Sequence, residues 1–249
     1  MFSTQWSVNE LAKRQYVFKL SANGAVFTTL IVLQIIGTVF ISGASSTSMS
    51  DWGEPISFNF TSISNDGQVG LTLFWALIVG FLLTSAAQRN ESFSFVTNRL
   101  TFQLANFYFI CTAALFGGVT TVLLGSVMKI VALFGDNVII ETAGLLSSPL
   151  DYFSRILVMT AYTLLLLMTG YLLGTLIQFS KLFIALFGLV WFVYITFGFR
   201  VSVGEGDSLL YFYYGETSIL LFILKVAVSV AVLFGISFFV TNRLEVRNP

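Results

Sequence analysis

Lys225 stands nine residues into an apolar run covering 217–240, about 13 Å along a helix. A charge near the centre of a bilayer costs at least ~2.5–3.5 kcal/mol, so it must face protein or water. Ser218 and Ser229, at spacings of seven and four, share its helical face. Such a polar stripe, Ser218, Lys225 and Ser229, suits a substrate path or a gate. The plainer alternatives are pairing with an outer acid such as Glu216, or snorkelling to the interface.

Gly204-Glu-Gly-Asp207 carries the G-x-G-D string of intramembrane aspartyl proteases. That chemistry needs two carboxyl groups, one poised as acid and one as base. Asp151 is the available membrane-edge partner for Asp207. The string falls in an expected loop, where two glycines and an acid also make a turn. The companion Tyr-Asp appears only in reverse, as Asp151-Tyr152. Gly170-Tyr-Leu-Leu-Gly174 is a G-x-x-x-G pattern that lets helices approach closely, within one chain or across a dimer.

Other chemistry is excluded by absence. The chain has no His, which removes Ser-His-Asp triads and His-ligated metals. A lone Cys111 removes disulfides and Cys-rich metal sites and reads as a packing residue. No metal site is expected. No Gly-Lys pair occurs, so the phosphate-cradling loop of P-loop ATPases is missing. Net charge is zero, and nothing points to nucleic acid.

The elements that must position these residues are apolar. Hydrophobic residues make up 56% of the chain and charged ones 10%, against roughly 25% in soluble domains. Six runs, at 24–42, 71–87, 104–134, 156–179, 182–199 and 217–240, are each long enough to span a bilayer. Because they are continuous rather than alternating, helices are expected rather than a barrel. The first run is too long for a signal-peptide core and reads as an uncleaved span. The expected fold is all-α: a polytopic membrane protein with six transmembrane helices, forming one domain over 1–249.

With both termini cytoplasmic, Lys13, Arg14, Lys19, Arg89, Arg99, Lys181, Arg243 and Arg247 lie inside, against Lys129, Arg155, Arg200 and Lys225 outside. That asymmetry follows the positive-inside rule. Residues 5–20 suit an interfacial amphipathic helix, with Trp6, Leu11, Tyr16 and Phe18 on one face and Lys13 and Arg14 toward water. The loop 43–70 is rich in turn-forming residues. The string Phe-Val-Thr-Asn-Arg-Leu occurs at 95–100 and again at 239–244.

Six spans, an amphipathic N-terminal helix, a large first outer loop and an aromatic-Arg segment after span two resemble ABC-2-type transporter permeases. Phe93-Ser-Phe-Val-Thr-Asn-Arg99-Leu-Thr-Phe102 is similar to the segment that re-enters the membrane in small bacterial members. The resemblance implies a bacterial plasma-membrane permease, working as a homo- or heterodimer with separate ATP-binding cassette subunits. ATP and Mg²⁺ would be bound by that partner, and this chain would hold no cofactor. It also implies that 88–103 is the cytoplasmic coupling segment, with Phe93, Phe95, Asn98, Arg99 and Thr101 meeting the ATPase. The expected cargo is a hydrophobic or amphipathic molecule such as a peptide or lipid, exported. Membrane lipid is a further expected contact. Two other classes stay open: a protease built on Asp151 and Asp207, and a non-transporting scaffold or immunity protein, which would need no polar path and no ATPase.

Overall fold

Helix α1, Val8–Ala22, opens on a reciprocal cap. The Ser7 backbone N–H and hydroxyl both donate to Glu10 Oε2, at 3.1 and 3.0 Å, while the Glu10 N–H donates to Ser7 Oγ at 3.3 Å. The arrangement satisfies two helix-end N–H groups at once. Those hydrogen bonds hold the exposed Glu10 carboxyl below its ordinary range. The computed structural model describes residues 7–42, 47–48, 59–62, 65–85, 88, 99–132, 138–139, 148–180, 182–183, 189, 213 and 215–244.

The remaining elements are α2 (Gly24–Ser42), β1 (Thr47–Ser48), β2 (Asn59–Ser62), α3 (Asp66–Leu82), α4 (Arg99–Ala132), β3 (Val138–Ile139), α5 (Pro149–Phe179) and α6 (Ile219–Leu244). Short polar residues again mark the starts. Gln68 and Val69 donate to the Asn65 carbonyl, Tyr152 to that of Ser148 and Phe222 to that of Ser218. Pro149, with no N–H to lose, occupies the first position of α5. Between α1 and α2 the axis bends by 47°. Both the backbone N–H and Nδ2 of Asn23 take the Lys19 carbonyl, at 2.9 and 3.1 Å, and Gly24 follows. A side chain that competes for the backbone's own acceptor ends the helix there.

Among the described residues the fold is helical apart from one small sheet, in which β1 pairs antiparallel and β3 parallel with β2. β1 and β2 lie inside the stretch 43–70 expected as loop. The expected six spans are not all seen. Among the described residues, α4, α5 and α6 are each long and apolar enough to cross a membrane, and the bent α1–α2 pair makes a fourth if counted together. α3 is apolar but only 17 residues long. The run 182–199 lies outside the described residues except at 182–183 and 189.

α1 forms where a helix was expected, but its inward stripe is Ala12, Gln15, Lys19 and Asn23. Spacings of three and four put these on one face. Leu11 and Tyr16 are half-buried, Phe18 is exposed beside Lys13 and Arg14, and Trp6 lies outside the described residues. The inward residues are mostly polar, and Val17 and Phe18 are turned out.

Elsewhere polar residues share the interior with apolar ones such as Phe109, Ile110 and Leu167. Gln34, Gln68, Thr72, Gln103, Asn106 and Thr121 are buried, while Phe40 is 75% exposed and Leu220 80%. On α6 the stripe Phe222, Val226 and Val230 faces in, and Leu224, Val228, Val232 and Phe239 face out. Water would reward the opposite arrangement; hydrocarbon rewards this one, because polar groups there must find partners inside the protein. The protein is embedded in a membrane.

Close Cα approach divides the chain into two compact units: Met1–Gln15, Leu77–Phe107 and Leu167–Pro249 form the first, and Tyr16–Ala76 and Tyr108–Leu166 the second. In the first, α3 and α5 meet along a glycine seam. A Cβ added at Gly80 would strike the Leu167 carbonyl, and one at Gly170 the Leu77 carbonyl; one at Gly174 would strike Thr84 Oγ1. Backbone therefore lies against backbone. In the second unit a Cβ on Gly118 would strike Thr160, so α4 and α5 approach just as closely.

Candidate functional site

A dense polar cluster lies in the second unit, on α2, α3 and α4. Gln34 Nε2 donates toward the hydroxyls of Thr72, Thr120 and Thr121, each at 3.2 Å. A primary amide has two hydrogens, so one is shared. The threonines accept because their own hydrogens are spent elsewhere. Thr121 donates to the Gly117 carbonyl at 2.7 Å and Thr120 to that of Phe116 at 2.9 Å. Thr72 must then be the donor in its 2.8 Å contact with Thr121. Gln68 Nε2 donates to the Gln34 carbonyl at 3.0 Å and to Thr38 Oγ1 at 2.9 Å. The amide and hydroxyls thus tie three helices in one register.

Two acceptors of the cluster stay unsatisfied. Gln68 Oε1 and Asn65 Oδ1 are buried with no hydrogen-bond partner. The other end of Asn65 donates to the Thr121 carbonyl at 3.2 Å, which fixes the amide's orientation. An unpaired buried acceptor costs about 1–3 kcal/mol.

Asn65 and Thr121 also line a cavity of about 350 Å³ among α3, α4 and α5. Its walls combine Val69, Val158 and Met159 with Ser126 and Tyr152, whose hydroxyls lie 3.0 Å apart. Asp66, Lys129 and Arg155 bring charge to it. The groups that line it offer hydrogen bonding and charge.

The first unit holds the polar stripe expected on α6. Lys225 Nζ donates to Glu216 Oε1 in an ion pair, both side chains being about a quarter exposed. Ser229 donates to the Lys225 carbonyl at 2.8 Å and accepts from Tyr213 Oη at 2.7 Å. Ser218 is half-buried at the start of the helix. The geometry matches the ion-pair alternative for Lys225. Lys225→Met should strand Glu216 and destabilise the protein by about 2 kcal/mol, between the ~0.5 of an exposed pair and the ~4 of a fully buried one. Adding Glu216→Gln should restore most of the loss in thermal unfolding. An unchanged melting temperature in Lys225→Met would refute the structural role.

The other sequence candidates are scattered. Phe93, Phe95 and Asn98 lie outside the described residues. Arg99 is the first residue of α4. Thr101 is fully buried, so it offers no side chain to an outside partner. Of the repeated hexapeptide, 239–244 closes α6, and 99–100 open α4. Gly170 and Gly174 lie in the α3–α5 seam within the chain. Asp151 is exposed in the first turn of α5, and Asp207 lies outside the described residues. Cys111 is half-buried in α4. Among the described residues no cluster of His, Cys, Asp or Glu could hold a metal ion.

Gln34, Gln68, Thr72 and Thr121 were not singled out from the sequence. A signal existed: Gln34 is the lone amide in the apolar run 24–42. Averaged hydropathy hides one amide among eighteen neighbours, although burying it in lipid demands a partner. No protein-family model, curated protein or solved structure matches the chain.

Proposed function

We propose that the chain is the membrane-embedded permease subunit of an ATP-driven, ABC-2-like transporter, exporting a hydrophobic or amphipathic molecule. It acts as a dimer in a bacterial plasma membrane with both termini cytoplasmic. A separate ATP-binding subunit binds ATP and Mg²⁺ and docks on 88–103, while α1 rests on the inner leaflet. The observation that carries the reading is the band of buried amides and hydroxyls beside a cavity. A passive anchor gains nothing from desolvating Gln34, Gln68 and Asn65, two of which keep unpaired acceptors. The absence of a phosphate-binding loop supports a motor on another chain.

Purification of the tagged full chain from its own membranes in mild detergent should bring down a P-loop ATPase. A chain that comes alone, or only with unrelated proteins, overturns the proposal. Within that complex Arg99→Glu should leave ATP hydrolysis running while transport falls roughly tenfold or more, the worth of one charge-assisted hydrogen bond. Normal transport by the folded variant complex would remove Arg99 from the coupling surface.

A further inference from the structure

We propose that the cavity among α3, α4 and α5 is a binding site for one anionic phospholipid, whose phosphodiester lies against Lys129 and Arg155. The assignment does not depend on the transport reading. It begins from charge. Lys129 and Arg155 line the same small cavity as the single carboxylate of Asp66, so the formal balance of the lining is +1 (two cations against one acid). Among the described residues Arg155 forms no ion pair. A phosphodiester carries one negative charge, which neutralises that balance. Arginine's planar fork matches two phosphate oxygens, and the lysine adds a point charge.

Position supplies the second argument. Asp66 is the first residue of α3, Lys129 lies in the last turn of α4, and Arg155 lies in the second turn of α5. All three charges therefore sit near helix ends, where headgroups meet a membrane protein. The walls decide between a lipid and a free anion. Val69, Val158 and Met159 provide apolar surface that a bare phosphate cannot use and that the first carbons of acyl chains can. A volume of about 350 Å³ is at the low end for ligand pockets, which suits a headgroup and its glycerol with the tails outside. The hydrogen-bonded hydroxyls of Ser126 and Tyr152 add polar surface to the same site.

The test uses the full chain, delipidated in detergent, with native mass spectrometry and competition binding. The probes are phosphatidylglycerol, phosphatidylcholine with the same tails, and inorganic phosphate. One phosphatidylglycerol per chain should be retained, about tenfold or more tighter than phosphatidylcholine. Arg155→Gln, at an exposed position, should cut that preference several-fold, and Lys129→Met with Arg155→Gln should abolish it. Arg155→Lys should keep part of it. Val158→Trp, which fills the cavity and leaves both cations in place, should also displace the lipid. Should the double variant fail to fold, Arg155→Gln and Val158→Trp decide alone. Equal binding of the two lipids overturns the proposal, as does a preference that survives Val158→Trp. Inorganic phosphate binding as tightly as the lipid would assign the site to a free anion and overturn the lipid.

Discussion

Gly80→Leu is expected to destroy the packing of α3 against α5, costing more than ~3 kcal/mol, the upper end for overpacked cores. The new side chain would start in the Leu167 carbonyl, with Tyr171 N behind it. Neither is the movable end of a side chain, so relief requires shifting a whole helix. The shift would also separate Gly170 from Leu77 and Gly174 from Thr84, and would disturb the buried 3.1 Å hydrogen bond from Asn106 Nδ2 to Tyr171 Oη. Gly70 provides the control on the same helix. A Cβ there meets nothing within 4 Å, so Gly70→Ala should be neutral or gain about 0.4–1 kcal/mol from the less flexible unfolded chain. Thermal unfolding in detergent measures both. A Gly80→Leu protein that melts with the wild type would mean that the seam is not a close contact.

The second large effect is expected at Gln34. Gln34→Ala should cost about 3 kcal/mol. Three hydrogen bonds to Thr72, Thr120 and Thr121 are lost, worth about 0.6 kcal/mol each inside a membrane protein. The void left by a fully packed side chain adds a comparable amount. Gln34→Leu keeps most of the volume and should cost only the hydrogen bonds, about 1–2 kcal/mol. The threonines tolerate the loss because they continue to donate to helix carbonyls and to one another. Equal stability of the alanine and leucine variants would show that packing contributes nothing at this position. If the cluster serves cargo, both variants should reduce transport alike, regardless of their difference in stability.

The helices at 24–42, 71–87, 104–134, 156–179 and 217–240 were legible from their apolar runs, and α2 at both its ends, but the starts of α3, α4 and α5 were not. α5 begins at Pro149, seven residues before the apolar run at 156, because Asp151, Ser154 and Arg155 extend the helix. Ser148 followed by Pro149 is a helix-start signal that hydropathy ignores. α4 likewise begins at Arg99 and α3 at Asp66, behind a capping Asn65. Polar ends escape a reading that counts only apolar residues. The site was less legible than the fold. Lys225 attracts notice because it is charged, yet its partner Glu216 is close in sequence and the pair is local. Gln34, Gln68, Thr72 and Thr121 are neutral, spread over three helices, and separated by up to 87 positions. Only the packing of three helices brings them together.

The shortness of α3 bears on the lipid around the protein. Seventeen residues make a rod about 25 Å long, less than the ~30 Å of a typical hydrocarbon core. A helix that is too long can lean over; one that is too short cannot, since tilting shortens its vertical reach further. The deformation must pass to the bilayer, at fractions of a kcal/mol per Å of mismatch. Acyl chains beside Phe74, Ile78 and Leu82, the exposed side of α3, would have to coil or splay. The film should pucker beside α3. The protein would then sort toward thinner membranes, and short-chain lipids would gather preferentially along one side of it.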